Sequence, residues 1–317
     1  MRVAVLLEVL PLLVGDLFAQ HGSASCSGNV ADLPGSRRHF SVSFIHTQLN
    51  VRRRQVEEAR GPAFPGLLEE MTVEDVRAFA PEVVVLPLGS TEPHGPHLPM
   101  GTDVWQVTRL GRLAVAAANR RHARVLLYPT LPITNNVNFR RFPFALRVGV
   151  RTLMSMIVDI VTQCRDDGVR KVVLLNGYGG NPDTIAATLR EIAGLNDMPF
   201  VCSTGGIPPQ GWQSPIEHAS DHGGESETSR MMWIRPDLVR QDELADNPFG
   251  QLAVPLLAGA NFVRPWHVYV PASAGGETRA SSADKGQAVT EALAAGLSDL
   301  LVQLSSTPWS ESFPYRE

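Results

Sequence analysis

Glu82-Val83-Val84-Val85-Leu86-Pro87-Leu88 runs directly into Gly89-Ser90-Thr91-Glu92-Pro93-His94-Gly95-Pro96-His97-Leu98-Pro99-Met100-Gly101-Thr102-Asp103. The first seven residues are apolar almost throughout, as in a strand buried on both faces of a parallel sheet. The residues from Gly89 onward form a loop stiffened by Gly and Pro at the carboxyl end of that strand, where open parallel sheets bind their ligands. It carries Glu92, His94, His97 and Asp103. A carboxylate and an imidazole two residues apart in an extended segment can face one cavity, and an Asp that opens the next helix can fold back to bridge. The loop thus predicts a metal cluster, with room for two ions. The alternative is a loop whose acids and imidazoles only bond to backbone groups.

Working outward, helical and β-branched segments alternate. A short helix is expected over 70–80 with Thr72 as its N-cap, and a helix over 103–119 follows the loop. Strands are expected over 123–128, 171–175 and 199–202, and helices over 150–164, 183–194 and 286–303, the helix before residue 194 closed by Gly194. This spacing predicts one α/β domain of three layers, a mostly parallel sheet flanked by helices. No internal repeat and no linker is found after Gly61, so the domain is expected over 61–317.

The first sixty residues do not share this order. Residues 1–19 (MRVAVLLEVLPLLVGDLFA) superficially suggest a leader, but Glu8 interrupts the apolar run and only Arg2 precedes it. Residues 20–60 show neither helical nor strand periodicity, and 1–60 is expected to be a poorly structured extension, with the protein cytoplasmic. No stretch reaches the ~18 consecutive apolar residues of a membrane span. The 317 residues carry 28 Lys+Arg against 32 Asp+Glu, so no overall positive field exists to attract nucleic acid. Three cysteines, Cys26, Cys164 and Cys202, lack the CxxC spacing of a thiolate zinc site. Any metal would therefore be held by carboxylate and imidazole.

Two further clusters have the same chemical character. Asn176-Gly177-Tyr178-Gly179-Gly180-Asn181 follows the strand at 171–175 and could cradle an anion or simply allow a tight turn. It is not GxGxxG, and no dinucleotide site is expected. Asp221-His222-Gly223-Gly224-Glu225-Ser226-Glu227-Thr228-Ser229 adds an imidazole and more carboxylates, or alternatively caps a helix beginning near Glu225.

Together the three segments resemble the creatininase family of metal-dependent hydrolases. GSTEPHGPHLPMGTD is similar to the family signature GSxEQHGPHLPxxTD, with Pro93 for Gln, and the segment from His222 to Ser229 is similar to HAGxxETS. The resemblance implies a single α/β domain with a two-metal site. Carried over residue by residue, it implies Glu92 on one metal, His94 on the other and Asp103 bridging. It implies His222 as a proton-shuttling acid/base held by Glu227, and Glu225 completing the metal shell. The middle signature departs: the family's NGHGGN reads NGYGGN here, placing Tyr178 where the family has a ligand His. A phenol of pKa ~10 is a poor metal ligand unless the metal lowers that value, so one site is expected to be weak or absent. The 135–144 loop departs too, with Arg140, Arg141 and three Phe replacing small polar residues. His97, Arg140 and Arg141 are the expected substrate-binding residues, with Trp212, Trp266 and His267 as further candidates.

The resemblance implies a hydrolase of a cyclic amide or other small C–N bond, with water activated by a divalent metal. Zn2+ is expected first and Mn2+ or Fe2+ next, one or two per subunit, in a homo-oligomer that the resemblance makes a hexamer or smaller ring. The alternatives are a hydrolase of a formamide, peptide or cyclic ketone, and, because of Tyr178, a non-catalytic or altered-chemistry homologue. The expected partner is a small-molecule substrate, not nucleic acid or a membrane.

Overall fold

The computed structural model describes residues 66–218 and 222–316; the expected extension over 1–60 and Asp221 lie outside them. Helix α1 (Val73–Phe79) begins where Thr72 and Asp75 cap it reciprocally. Asp75 N–H donates to Thr72 Oγ1 at 3.2 Å and Thr72 N–H to Asp75 Oδ2 at 2.9 Å. The expected start at residue 70 was early, because Leu68–Glu70 forms a separate 3-10 turn before the cap.

Strand β1 (Val83–Leu88) leads to α2 (Thr102–Asn119), β2 (Val125–Leu127), α3 (Val150–Asp166), β3 (Lys171–Asn176), α4 (Pro182–Ala193) and β4 (Phe200–Thr204). The four strands pair in parallel in the order β2-β1-β3-β4, with Val84 opposite both Leu126 and Val172, and Val173 opposite Cys202. After β4 come α5 (Glu225–Ile234), β5 (Asp246–Asn247), the one-turn α6 (Trp266–Tyr269), β6 (Gly276–Glu277) and α7 (Ala283–Ser306), with β5 and β6 forming a small antiparallel pair.

Strand alternation divides the core into two layers. Val83 and Val85 face α2 and α7, packing with Val107, Leu110, Leu297 and Leu301; Val84, Leu86 and Leu88 face α3 and α4, packing with Leu153, Ile157 and Ile185. Every residue of β1 is buried, as its run of apolar residues predicts. This is the expected three-layer α/β domain.

The strand order fixes where a ligand can bind. The chain leaves β1 to one side as β2 and returns to the other as β3, so the order reverses between β1 and β3, and a crevice opens beyond their carboxyl ends. Two glycines let α2 cross tightly over that end. A Cβ on Gly89 would lie 2.9 Å from Val104 Cα, and one on Gly177 would lie 2.5 Å from Val107 Cβ. The close crossing carries Asp103, in the first turn of α2, into the crevice.

Candidate metal centre

The loop after β1 is braced from within. Glu92 N–H bonds to the Met100 carbonyl at 2.9 Å, Ser90 donates to Glu92 Oε2 at 2.8 Å, and Asn136 Nδ2 bonds to Ser90 Oγ and to the Thr91 carbonyl, each at 3.2 Å. Glu92, His94 and Asp103 are all buried. The His94 ring is oriented by its own loop: Nδ1 lies 3.0 Å from the Glu92 carbonyl oxygen, which only accepts, so Nδ1 carries the proton. Nε2 is left facing Asp103 Oδ1 at 3.2 Å and Glu227 Oε2 at 3.5 Å. His222 is fixed the same way, with Nε2–H on the Pro93 carbonyl at 2.7 Å and Nδ1 3.6 Å from Glu92 Oε1. An imidazole whose one nitrogen is anchored to a carbonyl presents the other as a ligand.

The electrostatics are those of a pocket short of positive charge. Burial, reinforced by Asp103, pushes Glu92 up to about 8, and burial pushes Asp103 up to about 6. Burial disfavours a charged His94, yet Asp103, Glu227 and Glu92 outweigh it and raise the ring to about 10. Burial and the neighbouring His94 hold His222 down to about 4, so this ring is neutral. Glu227 stays below the usual carboxylate range: burial opposes this, but His94, His222 and the Gly223 N–H, which donates to Oε2 at 2.7 Å, prevail.

Four buried polar atoms here have no hydrogen-bond partner among the described residues: Glu92 Oε1, His94 Nε2, Asp103 Oδ2 and the Tyr178 hydroxyl. Such atoms cost ~1–3 kcal/mol each when nothing satisfies them. Ligand atoms of Glu92, His94 and His222 lie within 4.8 Å of one another, and so do those of His94, Asp103 and Glu227. Hard carboxylate oxygens with imidazole nitrogens at this spacing fit a divalent cation such as Zn2+ or Mn2+.

The structure rearranges several expected roles. Glu225 does not reach the cluster: its Oε2 accepts from the backbone N–H groups of Glu217 at 3.0 Å and His218 at 2.7 Å, and its Oε1 holds Lys285 Nζ at 2.7 Å. Residues two apart on a helix point about 200° from each other, so on α5 only one of Glu225 and Glu227 can face His94, and it is Glu227. His222, which Glu227 was expected to hold, has its ring anchored by Pro93 and turned to Glu92. His97, expected on the substrate, is fully buried, and its Nε2 bonds to Thr228 Oγ1 at 2.9 Å and to the Gly223 carbonyl at 3.1 Å, tying the first segment to the third.

Arg140 and Arg141 are exposed, outside a wall that sequence reasoning missed. Phe139, 1% exposed, packs on His222 with centroids 4.7 Å apart and on Trp266 at 5.3 Å; Trp266 meets His222 edge-on at 6.2 Å. The three phenylalanines of the 135–144 loop were its signal in the sequence. Trp266 was already a candidate, whereas neighbouring His267 is exposed. Tyr178 ends in the crevice on a turn held by Asn176, whose Oδ1 accepts from Tyr178 N–H at 3.2 Å. Its hydroxyl faces Glu92, and burial together with that carboxylate pushes the phenol far up, so it stays protonated.

The family model for Creatininase, described as creatinine amidohydrolase, matches residues 69–301. The chain belongs to the creatininase family. Mycofactocin precursor peptide peptidase of Mycolicibacterium smegmatis is 30% identical over 191 residues, 58% of this chain and 70% of that protein. The Mycobacterium ulcerans peptidase of the same name is 29% identical over 180 residues, 54% of this chain and 65% of its own length. Creatinine amidohydrolase of Pseudomonas putida is 28% identical over 183 residues, 52% of this chain and 69% of the relative. Among solved structures, a Bacteroides fragilis protein provisionally described as a creatinine amidohydrolase superposes with a TM-score of 0.69 at 27% identity, covering 78% of this chain and 99% of that one. A creatininase mutant described as Zn-Zn type gives a TM-score of 0.59 at 25% identity, covering 76% and 98%.

Proposed function

We propose that this member of the creatininase family is a metal-dependent hydrolase of a small C–N bond. The observation that carries it is the convergence of His94 Nε2 with Asp103 and Glu227 beside the unpartnered oxygen of Glu92. His94, Asp103 and Glu227 would hold the cation, with Glu92 adjoining. A divalent cation there supplies Lewis acidity and lowers the pKa of water next to it. The remaining groups handle protons and fit the substrate. His222, neutral and anchored by Pro93, presents Nδ1 towards Glu92, and this pair takes the proton of the attacking water and returns it to the leaving nitrogen. Phe139 and Trp266 exclude water on the far side of His222 and offer an apolar face to the substrate.

The names of the relatives span a cyclic amide and a peptide, so the test is a panel. Metal-loaded protein is assayed on cyclic amides, formamides and short peptides alongside Glu92→Ala and Asp103→Ala. At least one class should be hydrolysed by the parent, with a loss of 100-fold or more in both variants, on the order of the 10²–10⁴-fold contribution of positioned acid–base groups. Protein that binds no divalent cation, with turnover unchanged in both variants, overturns the proposal. Tyr178 supports the second reading, a fold retained without catalysis. A fully loaded protein inert on the whole panel would favour that reading.

A further inference from the structure

His94 limits how many ions the centre can hold. Its Nδ1–H is engaged by the Glu92 carbonyl at 3.0 Å, which leaves Nε2 as the ring's one ligating atom. Both three-residue ligand groups include His94, Glu92 and His222 with it in one, Asp103 and Glu227 with it in the other. A single imidazole lone pair serves a single cation, so only one of the two groups can count His94 among its ligands. Nε2 lies at 3.2 and 3.5 Å from Asp103 and Glu227, which decides between them.

The opposite side has little to offer a second ion. Glu92 Oε2 accepts from Ser90 at 2.8 Å, leaving Oε1; Asp103 could share Oδ2, and His222 Nδ1, 3.6 Å from Glu92 Oε1, is the proton carrier of the reading above. The next side chain there is Tyr178, 6% exposed, its hydroxyl buried without a hydrogen-bond partner among the described residues. Its position is set by the turn: Asn176 grips the Tyr178 backbone from both sides, and a Cβ on Gly180 would lie 2.4 Å from the phenol oxygen. A phenol hydroxyl in this position offers a hydrogen to Glu92 and no imidazole lone pair to a cation.

Resting on the metal-centre reading above, we propose that this chain holds one divalent cation, on His94, Asp103 and Glu227. The Tyr178 hydroxyl, directed at Glu92, occupies the place where a second ion would need a ligand. This sets the chain apart from the creatininase described as Zn-Zn type.

The test counts ions. The full chain is stripped with a chelator, reloaded with excess Zn2+, freed of excess by gel filtration and analysed for metal. Mn2+-loaded samples are examined in parallel by electron paramagnetic resonance, which separates an isolated ion from a coupled pair. One zinc per chain and an isolated Mn2+ signal are expected for the parent. Tyr178→His, which restores an imidazole without adding bulk, should bind two zincs and give the coupled signal, whereas Tyr178→Phe should stay at one and Asp103→Ala should fall to none. Melting curves establish that each variant is folded before its metal is counted. Two zincs in the parent, a folded Tyr178→His still at one, or loss of the ion in Tyr178→Phe overturns the inference while leaving the hydrolase reading intact. A parent that binds none overturns both.

Discussion

At the scale of single residues, two acids on α5 separate a ligand from a clasp. Glu227 faces His94, while Glu225 is bound to Lys285 and two backbone N–H groups. Glu227→Gln should therefore lose the cation with little change in fold, read by metal analysis. Glu225→Ala should keep it but lower stability by roughly 1–3 kcal/mol in denaturant titration, because two backbone donors and the partly exposed Lys285 lose their buried acceptor. The reverse assignment would show the opposite pattern. The resemblance puts Glu225 in the metal shell and Glu227 on His222, and the contact that draws Glu225 away comes from Lys285, far along the chain. Tyr178, in contrast, stands out through the resemblance, because the family's NGHGGN carries an imidazole where this chain has a phenol. What the sequence leaves open there is direction: only the folded turn shows the hydroxyl aimed at Glu92.

At the scale of elements, the site depends on how closely α2 crosses the strand ends. Gly177→Ala would put a methyl group 2.5 Å from Val107 Cβ and push the helix that carries Asp103. A cost of about 1–3 kcal/mol is expected from overpacking, together with weaker Zn2+ binding by calorimetry. Adding Val107→Ala should recover part of both losses, and additive losses in the double variant would show that the two sites are independent. The four strands were legible because β-branched, apolar runs bounded by Gly, Pro and polar turns leave few other structures open to them. Helix limits shifted by a residue or a few where caps were misread, as at Thr72, and α7 begins at Ala283 because Ser282 accepts from Lys285 N–H at 3.3 Å. The β5–β6 pair and the one-turn α6 were not legible. Two-residue strands and a single turn carry no periodicity, and the contacts that hold Trp266 against Phe139 join residues distant in sequence.

At the scale of the molecule, the centre gathers residues from the loop after β1, from α2 and from α5, while α7 packs against both helices. A cation that binds only the folded chain should stabilise all of them together, by ~2.7 kcal/mol at a free concentration 100 times Kd. Chelation should thus lower the melting temperature of the parent and leave Asp103→Ala unmoved; equal shifts in both would mean that the chelator acts elsewhere. Leu297→Ala, in the fully buried seam of α7, should cost ~2–5 kcal/mol in denaturant titration even with metal present. The three-layer plan was readable from strand and helix alternation alone, but which helix closes the site was not, since that is a property of packing. The proposed ligands also differ in when they are made. His94 and Asp103 leave the ribosome early, Glu227 follows much later, and the helix that clasps Glu225 later still. On the proposed ligand set, a growing chain offers passing ions an incomplete grip until α5 has been made, so the ion is taken up by the folded domain.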